Sequence, residues 1–332
     1  MLKKHFYFAF FLLSISLTWG FSEQNRVALV AVSTQYEFDK IPTITQALES
    51  RNYKVTDKYL NQIISDFGYT NREATRAHLL IDAMLDDNND IIWFVKGGAG
   101  AFNLLPLLNK NIQKLKKAKP KILVGFSDVT PIHQFANDQL NWKSLHGVVA
   151  SLNQNIAKLS QTKVSINDQE PIPNIGKIWK YGISYDDLLP LNSLAKIGSN
   201  GIMSGGNLTL FLSYFSTIYQ PSFSGKILLL EDVGTTFRQL DRSLHQLLFM
   251  EESQKNKIKA IVFGQFYPLD PTDPERLIYK TVIEKFAEQF ERPVYYFPYI
   301  GHGRKNHPLI LGAETSISCK QNSEYCSLKQ IL

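Results

Sequence analysis

Apolar and polar residues alternate along the first half of the chain in two different rhythms. Short apolar runs predict buried strands at Arg26–Ser33, Asp90–Val95 and Lys121–Phe126. Longer stretches with helical periodicity lie between and after them, at Ile41–Arg51, Thr70–Leu85, Phe102–Lys116 and Thr130–Gln139. Apolar strands that alternate with helices predict a mostly parallel sheet with helices on its flanks. Thr70 and Glu73 have the spacing of a capping box, which predicts the start of the second helix.

The pattern weakens between residues 152 and 201, which are rich in Asn, Ser, Pro and Lys and are predicted to form a connecting region. Strong patterning then returns and predicts a second α/β domain. Its strands are expected at Lys226–Leu230, Lys259–Gly264 and Val294–Ile300, and its helices at Asn207–Tyr219, Phe237–Met250 and Pro274–Phe290. Leu309–Leu311 and Thr315–Cys319 are predicted to form a closing hairpin. The domain prediction is therefore 23–151, a connection at 152–201, and 202–332.

The first residues do not fit this pattern. Lys3 and Lys4 precede an uncharged apolar run from Phe6 to Leu17, and the small residues Gly20 and Ser22 follow it. The run is shorter than the roughly 20 residues that cross a bilayer. Residues 1–22 are therefore predicted to be a secretory signal peptide that is cleaved near Ser22. The alternative is an uncleaved N-terminal anchor. After cleavage we expect no membrane span and a periplasmic or secreted protein.

Length and composition narrow the class of protein. A chain of 332 residues with 44% hydrophobic and 20% charged residues is ordinary globular protein of about two domains. The net charge is +6, with 36 Lys and Arg against 30 Asp and Glu, and without Lys3 and Lys4 it is +4. The basic residues are scattered, so nucleic-acid binding is not expected. In an exported chain, Cys319 and Cys326 could form one disulfide; two free thiols are the alternative.

Ligands of parallel α/β sheets bind at the carboxyl ends of the strands, so polar residues there are candidates for chemistry. Ser127 and Asp128 follow one predicted strand and begin a helix, whose free amides could stabilise an oxyanion. Glu231 follows a second strand, and His302 lies between two glycines after a third. The order Ser, Glu, His suits a serine hydrolase. Taken singly, Ser127 or Asp128 could only cap a helix, and Glu231 could be an ordinary loop acid.

The remaining motifs exclude other chemistry. The glycine-rich segment at 96–101 lacks the spacing and the terminal Lys-Ser/Thr of a phosphate loop, so nucleotide binding is not expected. The seven histidines show no metal-ligand spacing, and no metal is expected. Among them, His133 and His146 are interpreted as ordinary helix and strand residues near the Ser127 turn. Four cations are candidates for binding an anionic substrate: Lys96, Arg238, Arg242 and Arg304. The alternative for each is a solvated surface charge.

Several segments together resemble the LD-carboxypeptidase family of serine peptidases, which includes muramoyltetrapeptide carboxypeptidases and microcin C immunity peptidases. They occur in the order of the family and span nearly the whole mature chain. The matching stretches are VALVAVS (27–33), KGGAGAFNLLPLL (96–108), GFSDVTPIH (125–133), LHG (145–147), SGGNLTL (204–210), ILLLEDVG (227–234), RQLDRSLHQL (238–247) and IGHGRKNHPLILGA (300–313).

The resemblance implies a role for each candidate residue. It makes Ser127 the nucleophile, Glu231 the carboxylate that orients the base, and His302 the base. It also implies an oxyanion hole from the backbone amides of Asp128 and the Gly98 region. The implied fold is two-domain α/β with the site between the domains, the implied assembly is a homodimer, and no cofactor is expected.

The expected function is therefore that of an exported serine carboxypeptidase. Its substrate would be the peptidoglycan stem tetrapeptide, which would lose its terminal D-Ala through cleavage of an L-D bond. Two alternatives remain open. One is an amidase of the microcin-immunity type that cleaves a peptide–nucleotide conjugate, and the other is a non-catalytic periplasmic peptide-binding protein. Two segments depart from the family pattern. Lys96 and Ala99 replace the Arg and Tyr of the R-G-G-Y-G that is frequent in the family, and the segment 235–238, TTFR, differs from the second acid and aromatic-Arg pair that usually follow EDVG.

Overall fold

A computed structural model of the chain describes residues 25–150, 172–266, 273–303 and 305–332. The predicted signal peptide at 1–22 lies outside these residues. The N-terminal half forms a six-stranded sheet of strand order β11-β5-β4-β3-β1-β2. Its bounds are β1 Asn25–Val30, β2 Tyr53–Thr56, β3 Ile91–Phe94, β4 Ile122–Gly125, β5 Ser144–His146 and β11 Leu309–Leu311. All neighbours are parallel except β11, which runs antiparallel to β5.

Helices cover both faces of this sheet, which explains why its central strands are continuous apolar runs. Val27 and Leu29 of β1 face a cluster that includes the helix α1, Ile41–Glu49. Ala28 and Val30 face the opposite cluster. The helices on that side are α2 Glu73–Leu85, α3 Leu105–Lys110, α4 Ile112–Leu115 and α5 Thr130–Leu140. The predicted mixed α/β architecture with a mostly parallel, helix-flanked sheet is confirmed.

The C-terminal half is built on a closed barrel of strand order β10-β6-β13-β12-β7-β8-β9. Its bounds are β6 Ile183–Pro190, β7 Ser199–Asn207, β8 Lys226–Glu231, β9 Ala260–Phe263, β10 Val294–Tyr296, β12 Glu314–Cys319 and β13 Cys326–Gln330. The remaining helices are α6 Ile175–Tyr181, α7 Leu208–Leu212, α8 Phe237–Leu248, α9 Glu252–Lys255 and α10 Glu275–Gln289. Helices α8 and α10 pack their apolar faces on the outside of β8 and β9.

The structure corrects two features of the predicted organisation. The part of the connecting region that is described, 172–201, holds α6, β6 and the start of β7. Polar residues on the outer side of β6 masked its strand pattern, since an antiparallel strand buries only one face. The predicted closing hairpin is also wrong, because β11 pairs with β5 in the first sheet whereas β12 pairs with β7 and β13 in the barrel.

Helix starts and lengths also differ from the prediction. Thr70 does not cap α2; its hydroxyl donates to Gln62 and its amide to Ser33, because the segment before the helix packs on the sheet. A capping box is present instead at Thr236 and Gln239, where α8 begins. The predicted helix at 102–116 is divided into a 3-10 turn, α3 and α4, and the one at 207–219 is reduced to α7.

Cys319 and Cys326 form a disulfide, the bonded one of the two arrangements that the sequence allowed. They lie directly opposite each other on the antiparallel pair β12 and β13. The bond therefore fastens the last strand of the barrel to its neighbour. In the described residues, no helix combines the length and the apolar character that crossing a membrane requires.

Candidate active site

Ser127 lies on a sharp turn between β4 and α5. Gly125 ends the strand, Phe126 is extended, and Ser127 has a φ of +66° in the left-handed region. Residues other than glycine rarely adopt this conformation, and holding one there costs about 1–3 kcal/mol. The turn places Ser127 at the start of a helical segment, where amides have no partner within the helix. The geometry is that of a serine presented beside free backbone donors.

The glycine-rich loop after β3 lies beside this turn. Gly98 has a φ of +121°, and a Cβ there would lie 2.1 Å from Thr34 Oγ1, so only glycine fits. The Ala101 amide donates to the carboxylate of Asp128 at 2.9 Å, which ties the loop to the residue after Ser127. Burial raises the pKa of Asp128, although the hydrogen bonds that its carboxylate accepts and the charge of Arg76 act in the opposite direction. The Asp128 side chain is thus structural, and only its amide is left for an oxyanion hole.

Glu231 and His302 form the closest pair of functional groups in the site. His302 Nδ1 donates to Glu231 Oε2 at 2.7 Å, and the Glu231 side chain is fully buried. Glu231 is the last residue of β8, and two glycines enclose it. A Cβ at Gly264 would lie 2.9 Å from Glu231 Cβ, and one at Gly301 would lie 2.5 Å from Glu231 Oε2. The chain around the histidine therefore packs directly on the carboxylate.

The pair has the electrostatics of a base and its orienting acid. Burial opposes ionisation of Glu231, but the charge of His302 and the contacts of His302 and His146 outweigh it and lower the pKa of Glu231 to about 2. Burial also opposes protonation of His302, but the Glu231 charge and hydrogen bond, with the charge of Asp232, leave the pKa of His302 raised. A fixed carboxylate on Nδ1 leaves Nε2 as the free nitrogen that can take a proton.

Phe126 connects this pair to the serine. Its ring centroid lies 4.7 Å from that of His302, and Phe126 directly precedes Ser127 in the chain. Within the described ranges 25–150 and 273–303, Ser127 Oγ makes no hydrogen bond to His302. Catalytic hydrogen bonds are often long until substrate binds, so the arrangement remains competent for base catalysis. The structure therefore joins two of the three predicted residues directly and the third through its neighbour.

A second network holds the serine turn to the barrel. Thr130 Oγ1 donates to the Ser127 carbonyl at 2.7 Å and accepts the Asn207 amide at 3.0 Å. Asn207 Nδ2 donates to Asp232 at 2.8 Å, and Thr209 donates to the same carboxylate. The sequence pointed to Glu231, which directly precedes Asp232, but gave no role to Asn207 or Thr130. Asn207 could have been suspected, because it too ends a strand and begins a helix.

Ser127 opens into a cleft of about 690 Å³ between the sheet and the barrel. Gly98, Asp128 and Asn207 line it, as do residues of α7, the 232–235 loop and α8. Among the described residues that line the cleft, Arg242 is the one cation. Arg238 and Lys96 do not line it, and Arg304 lies outside the described residues. The volume suits a short peptide.

The chemistry open to the site is that of nucleophilic hydrolysis. Ser127, backed by backbone amides, lies near a histidine whose carboxylate partner is buried and charged. In the part of the chain that the structure describes, no group of three His, Cys, Asp or Glu residues could hold a metal ion. The roles of Ser127, Glu231, His302, Gly98 and Asp128 remain predictions that this geometry supports.

Known proteins match the chain in both halves. A family model described as the LD-carboxypeptidase N-terminal domain matches residues 27–147, and one described as the LD-carboxypeptidase C-terminal domain matches residues 200–317. The chain is 30% identical over 308 residues to the murein tetrapeptide carboxypeptidase of Pseudomonas aeruginosa, which covers 85% of this chain and 89% of that protein.

Solved structures share the fold at lower identity. The muramoyltetrapeptide carboxypeptidase of Oxalobacter formigenes superimposes with a TM-score of 0.74 at 20% identity, over 93% of this chain and 99% of that one. The structure of MccF in complex with glutamyl sulfamoyl guanosine superimposes with a TM-score of 0.68 at 15% identity, over 93% of this chain and 96% of that one. At these identities the similarity concerns the fold alone.

Proposed function

This chain belongs to the LD-carboxypeptidase family and is a serine-type carboxypeptidase, and from that premise we propose that it is exported and removes the terminal D-Ala of peptidoglycan stem tetrapeptides. The bond cleaved would join an L-centre to that D-residue. The name of the Pseudomonas aeruginosa relative supports the substrate class. The apolar segment before residue 23 and the disulfide between Cys319 and Cys326 support export to an oxidising compartment.

The proposed reaction is acyl transfer to serine followed by hydrolysis. His302 Nε2 takes the proton of Ser127 as Oγ attacks the scissile carbonyl, and Glu231 stabilises the imidazolium that forms. Backbone amides of Asp128 and the Gly98 region hold the tetrahedral oxyanion. His302 then gives the proton to the leaving amine of D-Ala. Water, activated by the same histidine, attacks the acyl-enzyme and releases the tripeptide stem.

The 2.7 Å contact between His302 Nδ1 and the fully buried Glu231 carries this proposal. A buried carboxylate beside a partly exposed imidazole is costly to maintain, and it serves a purpose if the imidazole must become cationic during a reaction. A protein that only binds peptides needs neither this pair nor a serine in a left-handed turn. Both features favour the hydrolase over the peptide-binding alternative.

Arg242 supplies a reason for exopeptidase specificity. A carboxypeptidase must recognise the free carboxylate at the end of its substrate. Asp232 of the cleft is committed to Asn207 and Thr209, and the Asp128 carboxylate to Ala101. Arg242 lines the same cleft, and none of the ion pairs among the described residues includes it. We therefore assign the substrate carboxylate to Arg242, because guanidinium binds carboxylate in a bidentate manner.

The test uses purified protein without residues 1–22, incubated with soluble tetrapeptide muropeptides and, separately, with intact sacculi. Mass spectrometry should detect loss of one alanine from the tetrapeptide. Ser127→Ala should reduce the rate by about 10⁴-fold or more, while Ser224→Ala, at an exposed serine that does not line the cleft, should leave it unchanged. Retained activity in Ser127→Ala would refute the mechanism.

The same assay decides between substrates. A peptide–nucleotide conjugate is included as a competing substrate, together with glutamyl sulfamoyl guanosine, the compound in the MccF complex. Cleavage of the conjugate without release of D-Ala would favour the amidase alternative. Export is tested separately by fractionation of cells that produce the full chain. Recovery of uncleaved protein in the cytoplasm would contradict it.

A further inference from the structure

His146 is a buried histidine that the proposed reaction does not use. It ends β5, pairs with Gly125 across β4, and its side chain has no exposed surface. The ring centroid of His146 lies 5.8 Å from that of Phe126, and the Phe126 centroid lies 4.7 Å from that of His302. The sheet thus brings a second imidazole to the site from the domain that carries Ser127.

The position of His146 relative to Glu231 is the central observation. His146 Nε2 lies 3.6 Å from Glu231 Oε1, the carboxylate oxygen that does not contact His302. Both atoms are buried, and neither has a hydrogen-bond partner among the described residues. A buried donor and acceptor are costly when unpaired, so two such atoms at this distance are best explained as partners for each other.

No other titratable group in the described part of the chain competes for Glu231 Oε1. His133, on α5, binds the Gly125 carbonyl through Nε2, and burial together with the charge of His146 lowers the pKa of His133 to about 3. His302 occupies Oε2. Asp232 is turned to Asn207 and Thr209. His146 is the group that remains for this oxygen.

We propose that His146 is a positioning residue that shares Glu231 with His302. Its Nε2–H is directed at Oε1, so that only part of the carboxylate charge acts on the catalytic imidazole. The inference rests on the proposed hydrolase function. It gives Glu231 two imidazole partners, one from each domain, and it makes the basicity of His302 depend on a residue beneath the nucleophile turn.

The expected consequence has a definite sign. Gly264 and Gly301 enclose Glu231, so the carboxylate stays in place when His146 is replaced. The whole negative charge then acts on His302 and stabilises its protonated form. Since the base must be neutral to activate Ser127, the acid limb of the reaction should move to higher pH. Loss of one buried hydrogen bond corresponds to a shift of about half to one pH unit.

The experiment measures the rate at which a fluorophosphonate labels Ser127 as a function of pH, because this readout needs no particular substrate. His146→Leu removes the donor, and His146→Gln restores one near the position of Nε2. His146→Asn, whose shorter amide falls short of Oε1, is the second donor-deficient variant if the leucine variant does not fold. We expect a limb shifted upward in the Leu and Asn variants and close to wild type in the Gln variant.

Each outcome has one meaning. Equal limbs in all variants, or a downward shift with Leu or Asn, would overturn the role of His146, even if the variants were less stable, since lower stability alone does not move the limb. If wild-type Ser127 is labelled but no D-Ala is released from tetrapeptides, the proposed substrate fails. The pH limbs would still decide the role of His146.

Discussion

Gly301 lies so close to Glu231 that a Cβ on the glycine would be 2.5 Å from Glu231 Oε2, the atom that accepts the hydrogen bond from His302. Its φ of +104° also belongs to the region that favours glycine. The residue before the histidine therefore has two independent reasons to lack a side chain. The absence of a side chain at Gly301 allows the segment that carries His302 to pack directly against the Glu231 carboxylate.

Gly301→Ala should accordingly displace Glu231 or the histidine segment by several tenths of an ångström or more. Misplacement of this order costs about 10²-fold in rate, so kcat should fall by roughly that factor. Gly303→Ala is the matched control on the other side of His302, because a Cβ there meets nothing closer than 3.4 Å. A comparable loss of kcat in both variants would contradict the steric explanation.

The raised pKa of His302 predicts the pH dependence of the enzyme. The reaction needs neutral His302, so kcat/KM should fall on acidification with a midpoint above the ordinary histidine value of 6.5. Glu231→Gln removes the charge that raises this pKa. Its acid limb should therefore lie at lower pH, with a rate reduced by up to about 10⁴-fold.

Glu288→Gln, an exposed helix position, serves as the control for the pH profile and should reproduce the wild-type limb. The measurement is kcat/KM for a soluble tetrapeptide between pH 5 and pH 9. An acid limb that does not move in Glu231→Gln would show that Glu231 does not set the protonation of the base.

Arg242→Gln should weaken binding of substrates with a free carboxyl terminus. Loss of a charged hydrogen-bonded contact corresponds to a rise in KM of roughly 10- to 100-fold, with a smaller effect on kcat. A substrate amidated at its carboxyl terminus should bind poorly to wild type and equally poorly to the variant. Arg238→Gln, four residues away and outside the cleft, is the control. Equal sensitivity of both substrates to Arg242→Gln would contradict the assignment.

Thr130→Val should loosen the serine turn from the barrel. The substitution removes the hydroxyl that joins the Ser127 carbonyl to the Asn207 amide and leaves both without that partner. Unfolding in urea should show a loss of about 1–3 kcal/mol. Thr130→Ser keeps the hydroxyl and should lose much less. If serine were as damaging as valine, the methyl group and not the hydrogen bonds would be responsible.

Local patterns predicted much of the first sheet, because β1, β3 and β4 are buried on both faces and read as uninterrupted apolar runs. They also placed Ser127 and Glu231 at strand ends, whereas the strand expected to lead into His302 stops at Tyr296. The same patterns failed for β6, whose outer face is polar, and for Thr70, whose capping spacing was overridden by contacts with Gln62 and Ser33.

The contacts between domains were beyond reach of such patterns. Nothing in the sequence near His146 or Asn207 shows that His146 faces Glu231, or that the Asn207 amide donates to Thr130, across the two halves of the site. A buried histidine in a strand has the same local signature whether it packs in a core or faces a carboxylate. Only the packing of the sheet against the barrel shows that His146 faces a carboxylate.

The strand β11 has a consequence for how the protein is made. It is encoded among the last 24 residues of the chain, yet it completes the sheet that carries Ser127 by pairing beside β5. The first half therefore cannot finish its own sheet while the second half is still being synthesised. Peptidase activity should accordingly be absent from any chain that stops before Leu309, even though Ser127, Glu231 and His302 all precede that residue.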